Sequence, residues 1–374
     1  MKIIFTGGGT GGHFYPIIAV AQEVRDIIYD QKLIEPKLYY ISDKPYNSKA
    51  LKENYLEFIK IPTGKKRRYR SILNILDIFK TGLGLILALW KIFWIYPDVI
   101  FSKGGYASFP TVWAGRILKI PVIIHESDSK PGLVNKWAGK FATRVALSYP
   151  EAKQYFKPEI TAVTGNPIRR EIKRLIKKGS HEFLKLNSDK PTIFVVGGSQ
   201  GAQTINEIII SILPKLLEKY QVIHQTGVNN YEEVTNRTSV ILSDEQKKNY
   251  RPYGYLNDLA MRMAAGASDL IISRAGSAIF EIANWGLPSI IIPIPENISH
   301  DQRSNAFIYA HQGACSVIEE NNLTPSILTA EINRIILNKD LRQKMSDQAK
   351  KFSHENAAKI IANEIINITL KHEK

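Results

Sequence analysis

Two glycine-rich segments are the parts of this 374-residue sequence whose residue types and spacing could do chemistry. The first reads GGGTGGH at residues 7–13, and the second reads GGSQGA at residues 197–202. Each follows a short apolar run and precedes an amphipathic segment, which predicts a strand, a tight turn and a helix. Glycine permits close backbone approach, and a helix start offers free N–H groups and a positive dipole end. Both turns are therefore candidate phosphate sites; the alternative is a strand-to-helix connection that binds nothing.

The first turn also matches the G-x-G-x-x-G pattern, through Gly7, Gly9 and Gly12. By itself this match is weak evidence for a dinucleotide site, which also needs an acidic residue after the next strand. Asp43 is an arguable candidate for that acid. A P-loop is excluded because no Gly-Lys-Ser/Thr follows the glycines.

Two histidines are candidate general bases. His13 ends the first turn, and an imidazole titrates near the working pH of most enzymes, so it is the first choice. The alternative is a histidine that only stabilises a helix start. His125 competes, because it ends a predicted strand, and strand carboxyl ends in doubly wound folds point into the ligand crevice.

The acidic residues nearby favour chemistry without a metal. Glu126 and Asp128 form a weak metal candidate, and the chain has no Asp-x-Asp pair to hold a divalent ion beside a diphosphate. We therefore expect no metal and no cofactor, with helix N-termini, Ser199 and a nearby arginine neutralising a phosphate leaving group.

Short β-branched runs alternate with helical-period segments, which is typical of parallel sheets covered by helices on both faces. The predicted strands of the first half are Lys2 to Thr6, Lys37 to Ile41, Asp98 to Ser102, Val122 to His125, Arg144 to Leu147 and Ile160 to Val163. Those of the second half are Thr192 to Val196, Gln221 to Gln225, Leu270 to Ser273, Ser289 to Pro293 and Ser316 to Ile318. Because each half opens with a strand and a glycine-rich turn, we expect two doubly wound, Rossmann-like α/β domains in tandem.

The predicted domains are residues 1–165, residues 166–350 and a closing helix over residues 351–374 that packs back on the first domain. The polar segment 173–190 follows the expected connection. In the closing helix Ser353 is the expected N-cap. Apolar residues recur at helical spacing there: Ala357, Ile360, Ile361, Ile365 and Ile368.

Composition and charge narrow the function classes. Hydrophobic residues at 44% and charged residues at 23% are typical of a globular chain and exclude disordered or fibrous classes. The net charge of +15 favours a polyanionic partner, which is a nucleic acid, an anionic membrane or a phosphorylated substrate. The single cysteine, Cys315, excludes an intrachain disulfide and favours a reducing compartment, and no signal peptide is visible.

One segment suggests a membrane surface. Lys65 to Arg70 form a basic cluster, and residues 72–96 are rich in Leu, Ile, Phe and Trp. The uninterrupted apolar stretch from Thr81 to Trp90 is too short to span a bilayer, so the sequence predicts peripheral binding to an anionic cytoplasmic surface. The alternative is two ordinary core helices joined at Gly82 or Gly84.

Seven blocks together resemble the MurG family of UDP-N-acetylglucosamine transferases. They are residues 7–16, 101–110, 125–137, 164–169, 197–202, 273–281 and 300–306. The resemblance implies the two-domain GT-B fold, with the nucleotide sugar mainly on the C-terminal domain and a lipid acceptor on the N-terminal one. It implies inverting transfer of N-acetylglucosamine to the muramyl C4 hydroxyl, which turns lipid I into lipid II in peptidoglycan synthesis.

The resemblance also implies residue roles. Thr10, Gly11 and Gly12 would lie near the transferred sugar and diphosphate, and Arg169 and Ser199 would meet phosphate. Leu256 would read uracil through its backbone, Glu281 would accept from the ribose hydroxyls, and Gln302 would hold sugar hydroxyls. Asp128 stands where many members carry an asparagine that touches the sugar, and Ser277 and Ala278 would contribute backbone contacts. For Arg169 the alternative is a surface ion pair, and for Glu281 it is a solvated or salt-bridged helix residue.

Other classes remain open on the sequence alone. A nicotinamide-dependent oxidoreductase would use Asp43, and a nucleic-acid-binding protein would use the positive charge. We find no reading element or aromatic platform for nucleic acid, so none is expected as a partner. Other GT-B transferases and UDP-sugar epimerases are also compatible with these motifs.

Overall fold

The computed structural model describes residues 1–64, 73–197, 202–296 and 300–372. It divides into two compact units. The N-terminal unit comprises Met1–Arg169 together with His354–Lys374, and the C-terminal unit is Arg170–Ser353.

The N-terminal unit is built on a seven-stranded parallel sheet. Its strands are β1 (Lys2–Thr6), β2 (Lys37–Ser42), β3 (Leu56–Lys60), β4 (Val99–Ser102), β5 (Val122–Glu126), β6 (Arg144–Leu147) and β7 (Thr161–Val163). Their order is β3-β2-β1-β4-β5-β6-β7. The order reverses direction between β1 and β4, and ligands of doubly wound sheets bind outside the carboxyl ends of the strands at such a point.

Helices cover both faces of this sheet. They are α1 (Gly11–Asp30), α2 (Ser48–Glu53), α3 (Leu73–Ile95), α4 (Phe109–Ile117) and α5 (Leu133–Ala138). Alternate residues of β1 enter different cores: Ile3 and Phe5 pack with α1, and Ile4 packs with α3 and α4. Strands buried on both faces read as continuous apolar runs, which explains why they could be predicted.

The C-terminal unit repeats the plan with six parallel strands. They are β8 (Thr192–Val196), β9 (Gln221–Gln225), β10 (Tyr250–Tyr253), β11 (Leu270–Ser273), β12 (Ser289–Ile291) and β13 (Cys315–Val317), in the order β10-β9-β8-β11-β12-β13. Its helices are α6 (Arg170–Lys173), α7 (Ser180–Phe183), α8 (Gln203–Lys219), α9 (Tyr231–Ile241), α10 (Asp244–Lys247), α11 (Asp258–Ala267), α12 (Ala278–Trp285), α13 (His300–His311), α14 (Pro325–Ile336) and α15 (Lys339–Phe352). The prediction of two Rossmann-like domains in tandem is confirmed.

The last helix, α16 (Ala357–His372), packs on the N-terminal unit. Ile361 and Ile365 are buried in the core that α1 shares, and Arg144 at the start of β6 forms an ion pair with Glu364 at 2.7 Å. The predicted return of this helix is confirmed. The predicted N-cap is wrong: Ser353 closes α15 instead, donating its backbone N–H to the Ala349 and Lys350 oxygens.

Two strands escaped prediction, and both are edge strands. In β3 only Leu56 is buried, while Glu57 and Lys60 are exposed, and β10 contains Arg251 and Pro252. An edge strand is half solvated and tolerates proline, so it lacks the continuous apolar run that identified the central strands.

Helix α3 is one continuous element, so the alternative of two helices joined at Gly82 or Gly84 is wrong. Within the described part of the chain, Leu76–Ile95 is the one helix long and apolar enough to cross a membrane. Its mean hydropathy is 1.6, and 17% of its apolar 18-residue stretch is buried. The helix continues through Asp77, Lys80 and Lys91, so it is longer than the uninterrupted apolar stretch from Thr81 to Trp90 on which the prediction of peripheral binding rests. Lys65 to Arg70 lie outside the described residues.

Candidate functional site

The first glycine-rich turn joins β1 to the N-terminus of α1. Gly9 has φ +94°, and a Cβ there would meet the Tyr106 ring at 3.0 Å, so both conformation and space require glycine. Thr10 is the N-cap, and its carbonyl accepts from the His13 and Phe14 amides. The first amides of the helix, on Gly11 and Gly12, have no intrahelical acceptor and are available to an anion.

His13 lies in the first turn of α1 and is half-buried. Its Nδ1 is 3.0 Å from the Thr10 hydroxyl, and its Nε2 lies beside Gly105. The surrounding protein lowers the pKa of His13 to about 4, mainly by desolvation and then through the positive charge of Lys103. The ring is therefore a neutral imidazole at neutral pH, as a general base must be.

His125, in β5, is fully buried. Its Nε2 lies 3.0 Å from the Gly165 carbonyl and 3.4 Å from the Ser148 hydroxyl. Burial, followed by the Lys103 charge, lowers its pKa well below the ordinary value. A ring so enclosed has no open approach to a substrate hydroxyl, which favours His13 over His125 as the base.

Glu126 organises the loop after β5. Its carboxylate accepts from the backbone amides of Asp128 and Gly132 at 3.0 and 3.1 Å, and from the Asn135 side chain at 2.9 Å. Burial, then the charge of Asp128, raises the pKa of Glu126 to about 7. Both oxygens are engaged by N–H donors, so this carboxylate positions Asp128 and the start of α5 rather than offering a metal ligand. No group of three or more His, Cys, Asp or Glu side chains suited to a metal occurs among the described residues.

Asp43, the acid that a dinucleotide site would need, forms hydrogen bonds within the protein instead. It accepts from the Tyr106 hydroxyl at 3.1 Å and lies beside Ser42. Arg169 stacks its guanidinium 3.9 Å over the ring of Tyr15, a residue of α1. Arg169 is therefore held beside the helix whose N-terminus carries the first turn.

In the C-terminal unit, Gly197 directly follows β8 and α8 begins at Gln203, and Ser199 of the second glycine-rich segment lies outside the described residues. Leu256, between β10 and α11, is 2% exposed, and its amide donates to the Gln225 side chain at 3.2 Å. A nucleobase that accepted a hydrogen bond from the Leu256 amide would have to displace the side-chain oxygen of Gln225. Gln225, at the end of β9, was missed from the sequence because only the fold brings it to Leu256.

The remaining predicted residues gather at the start of α12. Ser277 is its N-cap, Ala278 is its first residue, and Glu281 lies in its first turn. Gln302, on α13, lies beside Gly276: a Cβ on that glycine would be 3.9 Å from its Nε2. Gln302 also accepts from the Ile294 amide at 3.3 Å. The fold thus assembles a helix N-terminus, a carboxylate and an amide in one place.

Comparison with known proteins identifies both halves of the chain. Residues 3–147 match the glycosyltransferase family 28 N-terminal domain, and residues 192–361 match the family's C-terminal domain. A Bacillus cereus protein is 34% identical over 366 residues, covering 97% of this chain and 99% of its own. A Borrelia turicatae protein is 35% identical over 369 residues, covering 97% and 95%. Both are named UDP-N-acetylglucosamine–N-acetylmuramyl-(pentapeptide) pyrophosphoryl-undecaprenol N-acetylglucosamine transferase.

Solved structures show the same fold. Acinetobacter baumannii MurG superposes with a TM-score of 0.71 at 24% identity, covering 98% of this chain and 99% of its own. A UDP-GlcNAc 2-epimerase from Neisseria meningitidis, bound to UDP-GlcNAc, gives 0.68 at 16% identity, covering 98% and 100%. At these identities the structures support the architecture alone. The full-length sequence relatives and both family-28 domains go further and confirm the resemblance: this chain belongs to the MurG family of glycosyltransferases.

Proposed function

We propose that this protein transfers N-acetylglucosamine from UDP-N-acetylglucosamine to the C4 hydroxyl of undecaprenyl-pyrophosphoryl-N-acetylmuramyl-pentapeptide, with inversion at the anomeric carbon. This is the step from lipid I to lipid II in peptidoglycan synthesis. The observation that carries the proposal is the match, over nearly the whole chain, to relatives named for this transfer.

The N-terminal unit would take the acceptor, and the C-terminal unit the donor. The helix N-terminus at Thr10, Gly11 and Gly12 would lie near the transferred sugar and diphosphate, close to His13. In the C-terminal unit, Ser277, Ala278 and Glu281 share the start of α12 with Gln302. A carboxylate accepts from a ribose diol, and an amide can both donate to and accept from sugar hydroxyls. Leu256 would read the uracil edge after Gln225 releases its amide.

His13 would act as the base. In the tautomer with the proton on Nδ1, that N–H donates to Thr10, and the Nε2 lone pair remains for the acceptor. As the C4 oxygen attacks the anomeric carbon, its proton passes to Nε2, and the bond to the UDP oxygen breaks on the opposite face. His125 would support the loop after β5 instead, because its Nε2 is held at the Gly165 carbonyl.

The departing diphosphate would be stabilised by helix N-termini, Ser199 and Arg169, without a bound metal. The Glu126 carboxylate supports this proposal because three N–H groups already engage it. Addition of EDTA should leave turnover unchanged in a detergent-solubilised assay. An absolute requirement for Mg²⁺ would contradict the proposal.

Helix α3 would bind the cytoplasmic surface of the membrane peripherally. Ala88 and Ile92 are buried against the α4 side of the unit, whereas Phe79, Trp90 and Trp94 are exposed. An apolar face of this kind beside a basic cluster is typical of a helix that lies in an anionic interface. The buried side ties α3 to the sheet, which favours lying on the bilayer over crossing it.

The transfer is tested with purified protein, labelled UDP-N-acetylglucosamine and lipid I in detergent. We expect label in lipid II with a β-1,4 linkage, and much less transfer from UDP-glucose. Epimerised nucleotide sugar as the product, or consumption of donor that does not depend on lipid I, would refute the proposed reaction.

Membrane binding is tested by flotation with phosphatidylcholine vesicles, with and without phosphatidylglycerol. Neutralising Lys65 to Arg70 or replacing Trp94 with serine should reduce recovery on anionic vesicles. Val240→Ser is the matched control, since Val240 is also exposed but lies on α9 of the C-terminal unit. Equal recovery on both vesicle types with every variant would contradict the proposal, and resistance to alkaline extraction would indicate a spanning helix instead.

A further inference from the structure

The amino-terminal parts of β1, β2 and β3 form a cavity with the last turns of α3. Its volume is about 530 Å³, which is in the range of small-ligand sites. Lys2 and Lys37 line it from the strands, and Trp90, Lys91 and Trp94 line it from the helix. The first glycine-rich turn follows the carboxyl end of β1, so the cavity lies at the opposite edge of the sheet from the proposed transfer site.

Three lysines line this cavity against one acidic residue, Glu57. Lys2 and Lys37 are direct partners in the register of β1 and β2, so their side chains leave the same face of the sheet next to each other. The Lys2 ammonium donates to the Ile95 carbonyl at 2.7 Å. Neither Lys37 nor Lys91 forms an ion pair with Glu57 or with any other described residue. Because like charges held close together repel, the cavity is a favourable place for an anion.

The helix side of the cavity is aromatic. Trp90 is 56% exposed and Trp94 is 71% exposed, and their spacing of four residues puts them on the same face of α3. The Lys91 ammonium lies 5.3 Å from the centre of the Trp90 ring, so the positive charge and the aromatic surface meet. Indole rings favour the boundary between water and hydrocarbon. A ligand with a negative head and an apolar tail therefore fits this cavity better than a free anion.

We propose that this cavity binds the headgroup of one anionic phospholipid, with Lys37 and Lys91 holding the phosphate and Trp90 and Trp94 contacting the glycerol and the acyl chains. The inference rests on the proposed binding of α3 to the membrane surface, and it adds a defined, saturable site to that general attraction. A lipid held there anchors the carboxyl-terminal end of α3, whereas the basic cluster Lys65 to Arg70 precedes its other end.

The test uses dihexanoylphosphatidylglycerol below its critical micelle concentration, so that no membrane surface is present. In tryptophan-labelled protein, the indole N–H signals of Trp90 and Trp94 should shift to saturation. The signal of Trp285, which is buried in the C-terminal unit, should stay unchanged. Dihexanoylphosphatidylcholine, which has no net charge, should bind at least about fivefold more weakly, because one cation near an anionic lipid contributes about that factor.

Substitutions test the two lysines. Lys37→Gln and Lys91→Gln should each weaken binding of the anionic lipid about fivefold, and about 25-fold together. Lys52→Gln is the matched control, since Lys52 is exposed on α2, which packs through Leu51 on the α1 side of the sheet. Unchanged affinity in the double variant, or equal affinity for the two lipids, would overturn the proposal. Inorganic phosphate that binds as tightly as the anionic lipid would also overturn it, because the site would then recognise a free anion.

Flotation with phosphatidylglycerol vesicles separates this inference from the proposed membrane binding. If the wild type does not float although the soluble lipid binds as described, membrane binding by α3 fails and the headgroup site stands. If the wild type floats but the soluble lipid leaves Trp90 and Trp94 unchanged, membrane binding stands and the headgroup site fails. Transfer of N-acetylglucosamine is measured in detergent and depends on neither result.

Discussion

At the scale of single residues, His13 and His125 show how two imidazoles near one sheet edge come to differ. His13 is half-buried, with Nδ1 held by Thr10 and the rest of the ring beside glycine backbone. His125 is fully buried, and its Nε2 is held at a backbone carbonyl. The first arrangement suits proton transfer, and the second suits structural support.

Substitution should separate these roles. His13→Ala should lower kcat about 10²- to 10⁴-fold with little change in thermal stability, since it removes a base from a half-buried position. His125→Ala should instead lower the free energy of unfolding by about 1–3 kcal/mol, because it removes a fully buried ring and one of the two hydrogen bonds at the Gly165 carbonyl. Steady-state kinetics and urea unfolding measure both, with His311→Ala as the exposed control. Near-wild-type turnover in His13→Ala would contradict its assignment as the base, and an unchanged free energy of unfolding in His125→Ala would contradict its structural role.

At the scale of elements, the backbone of α3 closely approaches the segment that follows β3. Gly84 is buried, and a Cβ there would lie 2.1 Å from the Pro62 carbonyl oxygen. Gly82, half a turn earlier, is exposed, and a Cβ added there would meet no atom within 4 Å. The two glycines of one helix therefore serve different purposes.

Alanine at each position tests this difference. Gly82→Ala should stabilise the protein by about 0.5–1 kcal/mol, because alanine loses less backbone entropy in a helix. Gly84→Ala should cost about 1–3 kcal/mol, because the methyl group forces α3 away from Pro62. Urea unfolding and vesicle flotation of both variants measure the effects. Equal stability of the two variants would show that the approach to Pro62 is not what fixes α3.

At the scale of the whole molecule, the C-terminal helix completes the N-terminal unit. Ile365 of α16 is fully buried with α1, whereas Ile360 is 49% exposed although its spacing placed it on the apolar face. Residues far apart in the chain thus share one core, and the first 169 residues alone lack part of it.

A matched pair of substitutions tests the contribution of this helix. Ile365→Ala should lower the free energy of unfolding by about 2–5 kcal/mol through lost burial and a cavity. Ile360→Ala, the same chemical change at a half-exposed position, should cost less than about 1 kcal/mol. A similar loss in both variants would mean that α16 does not pack through the Ile365 face.

Acid stability is also a property of the whole fold. Burial lowers the pKa of His224 to about 3, and the ring is bonded to Asn206 and Tyr250 at 3.0 Å each. The unfolded chain, with an ordinary histidine pKa of 6.5, binds more protons than the folded one between these values. Stability therefore rises with pH through this window and is lost as the pH falls from 6.5 toward 3.

His224→Gln should make that pH dependence shallower, because glutamine cannot take up the proton. Urea unfolding between pH 4 and pH 7 measures the slope, with His311→Gln as the exposed control. A slope equal to that of the wild type would show that His224 does not contribute to acid unfolding.

The sequence by itself determined the doubly wound architecture, the two glycine-rich turns and the family. Central strands are buried on both faces, so their continuous apolar runs identify them without any knowledge of their neighbours. The blocks around His13, His125 and Gln302 are local in the chain, and a local pattern can be read from letters alone.

Only the tertiary structure decided what these residues touch. It enclosed His125, committed Glu126 to three N–H donors, engaged the Leu256 amide with Gln225 and brought Lys37 and Lys91 to one cavity. It also added the edge strands β3 and β10, whose mixed polarity carries little signal. Burial and electrostatic fields depend on residues that are distant in the chain and meet only when the sheet is assembled, so spacing along the sequence could not supply them.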